Sequence, residues 1–168
     1  MKIFLIRHGI ATQRIGGEIT DDSQRPLTDE GRTETKIVGL GLKRIGVKPD
    51  LIVSSSLVRA RQTAEILAEV FGVLRDVKVC DALAPGGTAS DLYKFLRDHH
   101  KAEQVFLVGH EPDMGRLAGT MLWSGPELDI PFKKAGVCRI DVTSIPPTSP
   151  GTLKWFITPK IAGAIVGR

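Results

Sequence analysis

Two stretches of this 168-residue chain end in histidine in the same way. Ile3-Phe4-Leu5-Ile6-Arg7-His8 and Val105-Phe106-Leu107-Val108-Gly109-His110 are both apolar runs of strand length closed by an imidazole. A third run, Leu51-Ile52-Val53, passes through Ser54-Ser55-Ser56 into a stretch of helical period with Arg59 in its first turn. In open parallel sheets the carboxyl ends of the strands face the crevice that takes ligands, so Arg7, His8, Arg59 and His110 can meet at one rim. A single strand-end histidine is more often structural; two of them, with two arginines, make the pattern chemical. A neutral imidazole is a nucleophile at pH 7, and planar guanidinium forks match phosphate oxygens. A second histidine, if protonated, adds a donor to charge developing on the transferred group. Gly9 lets the backbone turn tightly after His8, and a carbonyl there can fix the tautomer of that ring. No cluster of metal-binding carboxylates appears. These residue types therefore suit metal-free phosphoryl transfer through a phosphohistidine, with positioning and positive charge lowering the barrier.

The elements that must position these groups follow from hydrophobic period. Apolar runs of strand length alternate with helical stretches, the signature of an α/β domain with a mostly parallel sheet. Strands are predicted at Lys2–Arg7, Leu51–Ser54, Val77–Cys80, Gln104–Gly109, Val137–Val142 and Leu153–Thr158. Several are apolar on consecutive residues, as strands covered on both faces are. One helix is predicted after Thr28 as N-cap, with Asp29 and Glu30 in its first turn. A second carries Leu57, Ala60, Ala64, Leu67, Ala68 and Phe71 on one stripe and ends at Gly72. A third runs from Thr88 to about Asp98, and a fourth from near Pro112 to about Leu122. Ser144–Gly151, with three prolines, reads as a turn joining the last two strands into an antiparallel pair. The segment from Lys160 to Arg168 shows no clear role. One domain over residues 1–168, an α/β/α sandwich, is the expected architecture.

Composition bounds the function classes. The chain is 42% hydrophobic and 25% charged, which matches average globular usage. Lysine and arginine total 23 against 19 acids, a net charge of +4. Nucleic-acid binding asks for clustered basic residues interleaved with aromatics, whereas six Phe, two Trp and one Tyr are scattered here. Neither nucleic acid nor membrane is an expected partner. Cys80 and Cys138 are too few for a disulfide framework and read as buried or idle thiols, which fits a reducing compartment. The apolar run Ile3–Ile6 is too short for a signal peptide, so a cytoplasmic protein is expected.

Leu5-Ile6-Arg7-His8-Gly9 resembles the Arg-His-Gly signature of the histidine phosphatase superfamily, which also contains the phosphoglycerate mutases. Ser54-Ser55-Ser56-Leu57-Val58-Arg59-Ala60-Arg61-Gln62-Thr63-Ala64 resembles the second block of that family, and Val108-Gly109-His110-Glu111-Pro112 the third. The resemblance spans residue 2 to about residue 122, with the blocks in family order. It implies a phosphoglycerate mutase-like three-layer sandwich with His8 as the phosphorylated nucleophile. It also implies that Arg7, Arg59 and His110 form the phosphate pocket, with no cofactor and no metal. Within the family the chain resembles the small SixA-type phosphohistidine phosphatases. Arg25-Pro26-Leu27-Thr28 followed by Glu30-Gly31 is similar to their segment before the first helix, and Arg25 becomes a candidate for the substrate rim. The Trp-Asn that follows Arg-His-Gly in the mutase branch is replaced by Ile10 to Arg14. Mutase-type members supply a glutamate as proton donor before the third helix, where this chain reads Asp81-Ala82-Leu83-Ala84-Pro85-Gly86-Gly87-Thr88. Phosphohistidine needs such a donor less, because it can leave as neutral imidazole.

The expected substrate is therefore phosphohistidine in a protein, a histidine phosphotransfer domain or a phosphocarrier, with phosphate ion as product. The alternatives are a phosphatase of small phosphoesters using the same chemistry and a non-catalytic phosphoprotein-binding module. Glu18, Asp21, Asp22 and, as an alternative, Asp81 are candidates for a general acid, although loop acids are usually solvated. Glu111 either orients His110 or begins the next helix. The serines 54 to 56 either donate to phosphate or seal a strand end. His99-His100 read as the end of the third helix, Arg61 as projecting from a different face than Arg59, Lys133-Lys134 as surface and Trp123 as packing.

Overall fold

The computed structural model describes residues 1–13, 21–73 and 77–168. Glu18 and Arg14 lie outside the described residues. Six strands are formed: β1 (Lys2–Arg7), β2 (Leu51–Ser54), β3 (Val77–Val79), β4 (Gln104–Gly109), β5 (Val137–Asp141) and β6 (Thr152–Ile157). They make one sheet in the order β3-β2-β4-β1-β5-β6. The pairs β2–β3, β2–β4 and β1–β4 are parallel, whereas β5 runs against both β1 and β6. Five strands thus share one direction, the mostly parallel sheet expected from the sequence, and the last two strands form the expected antiparallel pair.

Helices α1 (Asp29–Arg44), α2 (Val58–Phe71), α3 (Ala89–Asp98), α4 (Asp113–Leu122) and α5 (Pro159–Val166) cover the two faces. The side chains of each buried strand divide between two cores because successive residues point to opposite faces. Phe4, Ile6, Ile52, Phe106 and Val108 pack with α1, α2 and α5. Ile3, Leu5, Val53, Val105 and Leu107 pack with α3 and α4. Phe4 and Phe106 face each other across the β1–β4 ladder with ring centroids 5.0 Å apart. This is why those strands read as unbroken apolar runs.

The caps follow the sequence closely. Thr28 and Thr88 each accept a backbone N–H from the first turn of their helices, and Gly72 closes α2 in the left-handed region. Pro112 differs by one position, standing at the N-cap of α4 rather than inside it. Sequence reasoning missed α5, although Thr158 as N-cap, Pro159 at the first position and Gly167 as C-cap were all visible signals. The helix lies on α1, where Gly41 lets the Ala162 backbone approach.

Burying a large aromatic side chain that then must be deleted costs about 3–5 kcal/mol. Phe106→Ala, fully buried, is expected to lose about that much in urea unfolding, and Leu153→Ala, 48% exposed, no more than about 0.5 kcal/mol. Comparable losses at the two positions would contradict the two-face core.

Candidate active site

The site is assembled by strand register. Arg7 on β1 stands opposite Gly109 on β4, and Ser54 on β2 opposite Val108. The next residue on each strand is therefore brought to the same rim: His8 N donates to Gly109 O at 3.0 Å and Ser55 N to Val108 O at 3.0 Å. The rings of His8 and His110 are 5.1 Å apart. Arg59, one turn into the chain after β2, reaches His8 from α2. The four predicted residues do converge.

His8 is only 8% exposed. Its Nδ1 lies 2.7 Å from Gly9 O. A carbonyl can only accept, so Nδ1 carries the proton and Nε2 presents a lone pair. The Gly9 peptide is itself fixed: Gly9 N donates to Thr63 Oγ1 at 3.0 Å, and Thr63 Oγ1 donates to Arg59 O at 2.7 Å. A Cβ at Gly9 would come within 2.7 Å of Thr35 Oγ1, so only glycine lets the loop pack this closely on α1. Thr63 was not singled out from the sequence, although it lies in the second motif block.

His110 is 2% exposed, and its Nε2 lies 2.8 Å from Ser55 Oγ. That hydroxyl already accepts Leu57 N at 3.2 Å. Ser55 is fully buried, and among the described residues His110 Nε2 is the acceptor beside its hydroxyl proton, so Ser55 Oγ donates to Nε2 and the His110 proton sits on Nδ1. Among the described residues Nδ1 is buried and has no partner, and the same holds for Arg7 Nε. Buried donors left unpaired each cost about 1–3 kcal/mol, so two in one pocket mark a place built for an acceptor. Ser55 therefore orients His110. Glu111 does not: its Oε1 accepts Phe132 N at 2.8 Å. Ser54 Oγ donates to Ser55 O and seals the strand end.

Arg59 is 4% exposed and engaged at every nitrogen. Nε donates to His8 Nε2 at 3.3 Å, Nη1 to Asp22 O at 2.7 Å and Nη2 to Asp22 Oδ2 at 3.0 Å. Asp22 Oδ1 accepts Arg25 Nε at 2.8 Å, and Arg25 Nη1 donates to Thr12 O at 2.8 Å. Among the acids considered from the sequence, Asp22 is joined to the site through Arg59. Asp21 caps a short 3-10 turn by accepting Ser23 N, and Asp81 is exposed at the start of another. Arg61 pairs with Glu65 at 3.6 Å, away from the pocket. His99 closes α3 as expected, with its ring against Phe95.

Trp123 corrects an expectation. It is 54% exposed rather than packed, because it follows the last turn of α4. It lines a cavity of about 570 Å³ with Leu83, Leu92, Asp113, Leu117 and Leu128. None of the four convergent residues lines that cavity. The titratable groups, not this cavity, mark the chemistry.

Electrostatics sets the protonation states. Burial, with the positive charges of Arg59 and Arg7 and the neighbouring His110, lowers the His8 pKa to about 3 despite the opposing Gly9 hydrogen bond. Burial and then Arg59 lower His110 to about 4, with Asp22 opposing. Both rings are therefore neutral at pH 7, so His110 donates as a neutral imidazole and not as the protonated ring considered above. Between these values and the ordinary 6.5, the unfolded chain binds protons that the folded chain refuses, so stability falls as pH is lowered through that window. From pH 7 to 5 the loss is expected to be about 1–2 kcal/mol per histidine in urea unfolding. His110→Gln is expected to lose about half as much of this pH-dependent part. An equal loss in that variant would contradict the neutral His110.

Known proteins fit this arrangement. The model of the Histidine phosphatase superfamily (branch 1) matches residues 3–84. An uncharacterized protein of Picosynechococcus sp. is 37% identical over 139 residues, 82% of each chain. Phosphohistidine phosphatase SixA of Escherichia coli is 25% identical over 170 residues, 98% of this chain and all of that one. The structure of the protein histidine phosphatase SixA complexed with tungstate has a TM-score of 0.83 at 24% identity, covering 95% of this chain and 98% of that one. Residues, register and relatives agree: the chain belongs to the histidine phosphatase superfamily and is similar to its SixA-type members.

Proposed function

We propose that this protein is a phosphohistidine phosphatase that works through a covalent intermediate on His8. The observation that carries the proposal is the convergence on one buried rim of a lone pair at His8 Nε2 with donors from Arg7, Arg59 and His110. In the first step Nε2 attacks phosphorus in line as the substrate P–N bond breaks. The substrate leaves as neutral imidazole, its other ring nitrogen holding the proton. In the second step water attacks phosphorus, the P–Nε2 bond breaks, and phosphate leaves with His8 restored to its starting tautomer. The Gly9 carbonyl keeps the Nδ1 proton in place throughout, which spares the nucleophile any tautomer change.

The roles of the other residues follow from charge. Arg7 and Arg59 offer guanidinium donors to the equatorial oxygens, and His110 Nδ1 offers a third from a neutral ring. Arg59 lies beside the phosphorus position because its Nε points to the same lone pair. Arg25 belongs to the rim through Asp22. SixA, a relative named for phosphohistidine, supports the substrate class, and its structure with tungstate, a tetrahedral oxyanion, supports an oxyanion pocket. No helix among the described residues is long and apolar enough to cross a membrane.

His8→Ala is expected to reduce phosphate release from a phosphohistidine peptide at least a thousandfold, because it removes the Nε2 lone pair that forms the covalent intermediate. The wild-type protein is expected to turn over that peptide faster than sugar phosphates, and a chelator is expected to leave its rate unchanged. Faster turnover of the sugar esters would move the substrate to small phosphoesters. Phosphate binding without turnover of either substrate would make the chain a binding module.

A further inference from the structure

We propose that Glu111 is a positioning residue for the reaction: by holding Phe132 it sets the Arg7 guanidinium toward the phosphoryl group. The proposal rests on the reading of the site given above. Arg7 ends β1, where its backbone N donates to Gly136 O at 3.2 Å. Its side chain is long, and rotation about its bonds must be fixed from outside. The anchor is Phe132 O, which accepts Arg7 Nη1 at 2.6 Å, while Arg7 Nε has no partner among the described residues. Phe132 belongs to a stretch between α4 and β5 without regular structure, so its own placement needs a cause.

Three contacts supply that cause. The Phe132 side chain is buried against Phe156, with ring centroids 4.7 Å apart. Gly115 and Gly119, one turn apart on α4, let the chain lie directly on the helix. A Cβ at Gly115 would overlap Asp129 Oδ1, and one at Gly119 would overlap Leu128 O. Ile130 N donates to Gly115 O at 3.3 Å. The third contact is polar: Glu111 Oε1 takes Phe132 N, while the carbonyl of that same residue takes Arg7. One residue is thus gripped at both backbone groups, by the acid on one side and the pocket arginine on the other.

The charge of Glu111 acts in two directions. An acid next to His110 repels an incoming phosphoryl group, and burial raises the carboxyl's pKa against the pull of Phe132 N–H and Arg7. Against that repulsion stand the backbone N–H groups of Phe132 and Gly115 and the attraction of Arg7, which hold the carboxylate in place.

The test is a double-mutant cycle read by the Kd for inorganic phosphate. Glu111→Ala is expected to raise that Kd about tenfold, the scale of one misplaced charged hydrogen bond. Glu111→Gln keeps an acceptor for Phe132 N, so its Kd is expected to stay closer to that of the wild-type protein than to that of the Ala variant. In an Arg7→Ala background Glu111→Ala is expected to have no further effect. Should Glu111→Ala fail to fold, Glu111→Asp withdraws the acceptor by one methylene and is expected to show the same loss and the same coupling. A tenfold loss that persists without Arg7, or a Gln variant as weak as the Ala variant, would overturn the positioning role. An Arg7→Ala protein that binds phosphate as tightly as wild type would instead overturn the pocket itself, and the proposal with it.

Discussion

A parallel ladder in which Arg7 stands opposite Gly109 determines most of what this site can be. Parallel strands end together, and a one-residue slip would turn every side chain to the other face. With Phe4 against Phe106 and Leu5 against Leu107 inside two separate cores, such a slip would expose a row of fully buried side chains. The apolar interior therefore enforces the register, and the register places His8 beside His110. Ser55 arrives through the second parallel ladder, from β2. The site inherits its accuracy from the core rather than from its own polar contacts.

Concentrating positive charge in a dry pocket has a physical consequence. Burial and two arginines make protonation of either histidine unfavourable, so the rings are neutral and the arginines carry the charge. A neutral His8 has its lone pair at neutral pH without needing a base. Asp22 offsets part of the charge by accepting from both Arg59 and Arg25. A phosphoryl group entering the proposed site meets donors already desolvated and oriented, which is where electrostatic preorganisation is strongest.

What the sequence made legible, and what it did not, divides by interaction range. The strand ends and the helix caps are local: four residues of apolar run, or a threonine three residues from its partner, suffice to read them. His8, Arg7, Arg59 and His110 were legible because each sits at the end of such an element. Ser55 as the orienter of His110, Thr63 as the anchor of Gly9 and Phe132 as the anchor of Arg7 depend on contacts across 54 to 125 positions of chain, and no local pattern encodes them. Trp123 was misread for the converse reason, since aromatic character suggested burial while its place past the last turn of α4 put it outside. The helix α5 differs again, because its signals, Thr158, Pro159 and Gly167, are local and legible in the sequence.

The net charge of +4 turned out to say little, whereas the placement of two arginines beside two histidines says a great deal. The central claim is that the phosphoryl group passes through His8, and trapping it there is the direct measurement. Rapid quenching after mixing with a labelled phosphohistidine peptide, followed by mass spectrometry at neutral to basic pH, should find phosphate on His8, bound through Nε2 and lost in acid. Turnover with no phosphorylated protein at any time, or an acid-stable phosphoryl group on another residue, would contradict the account.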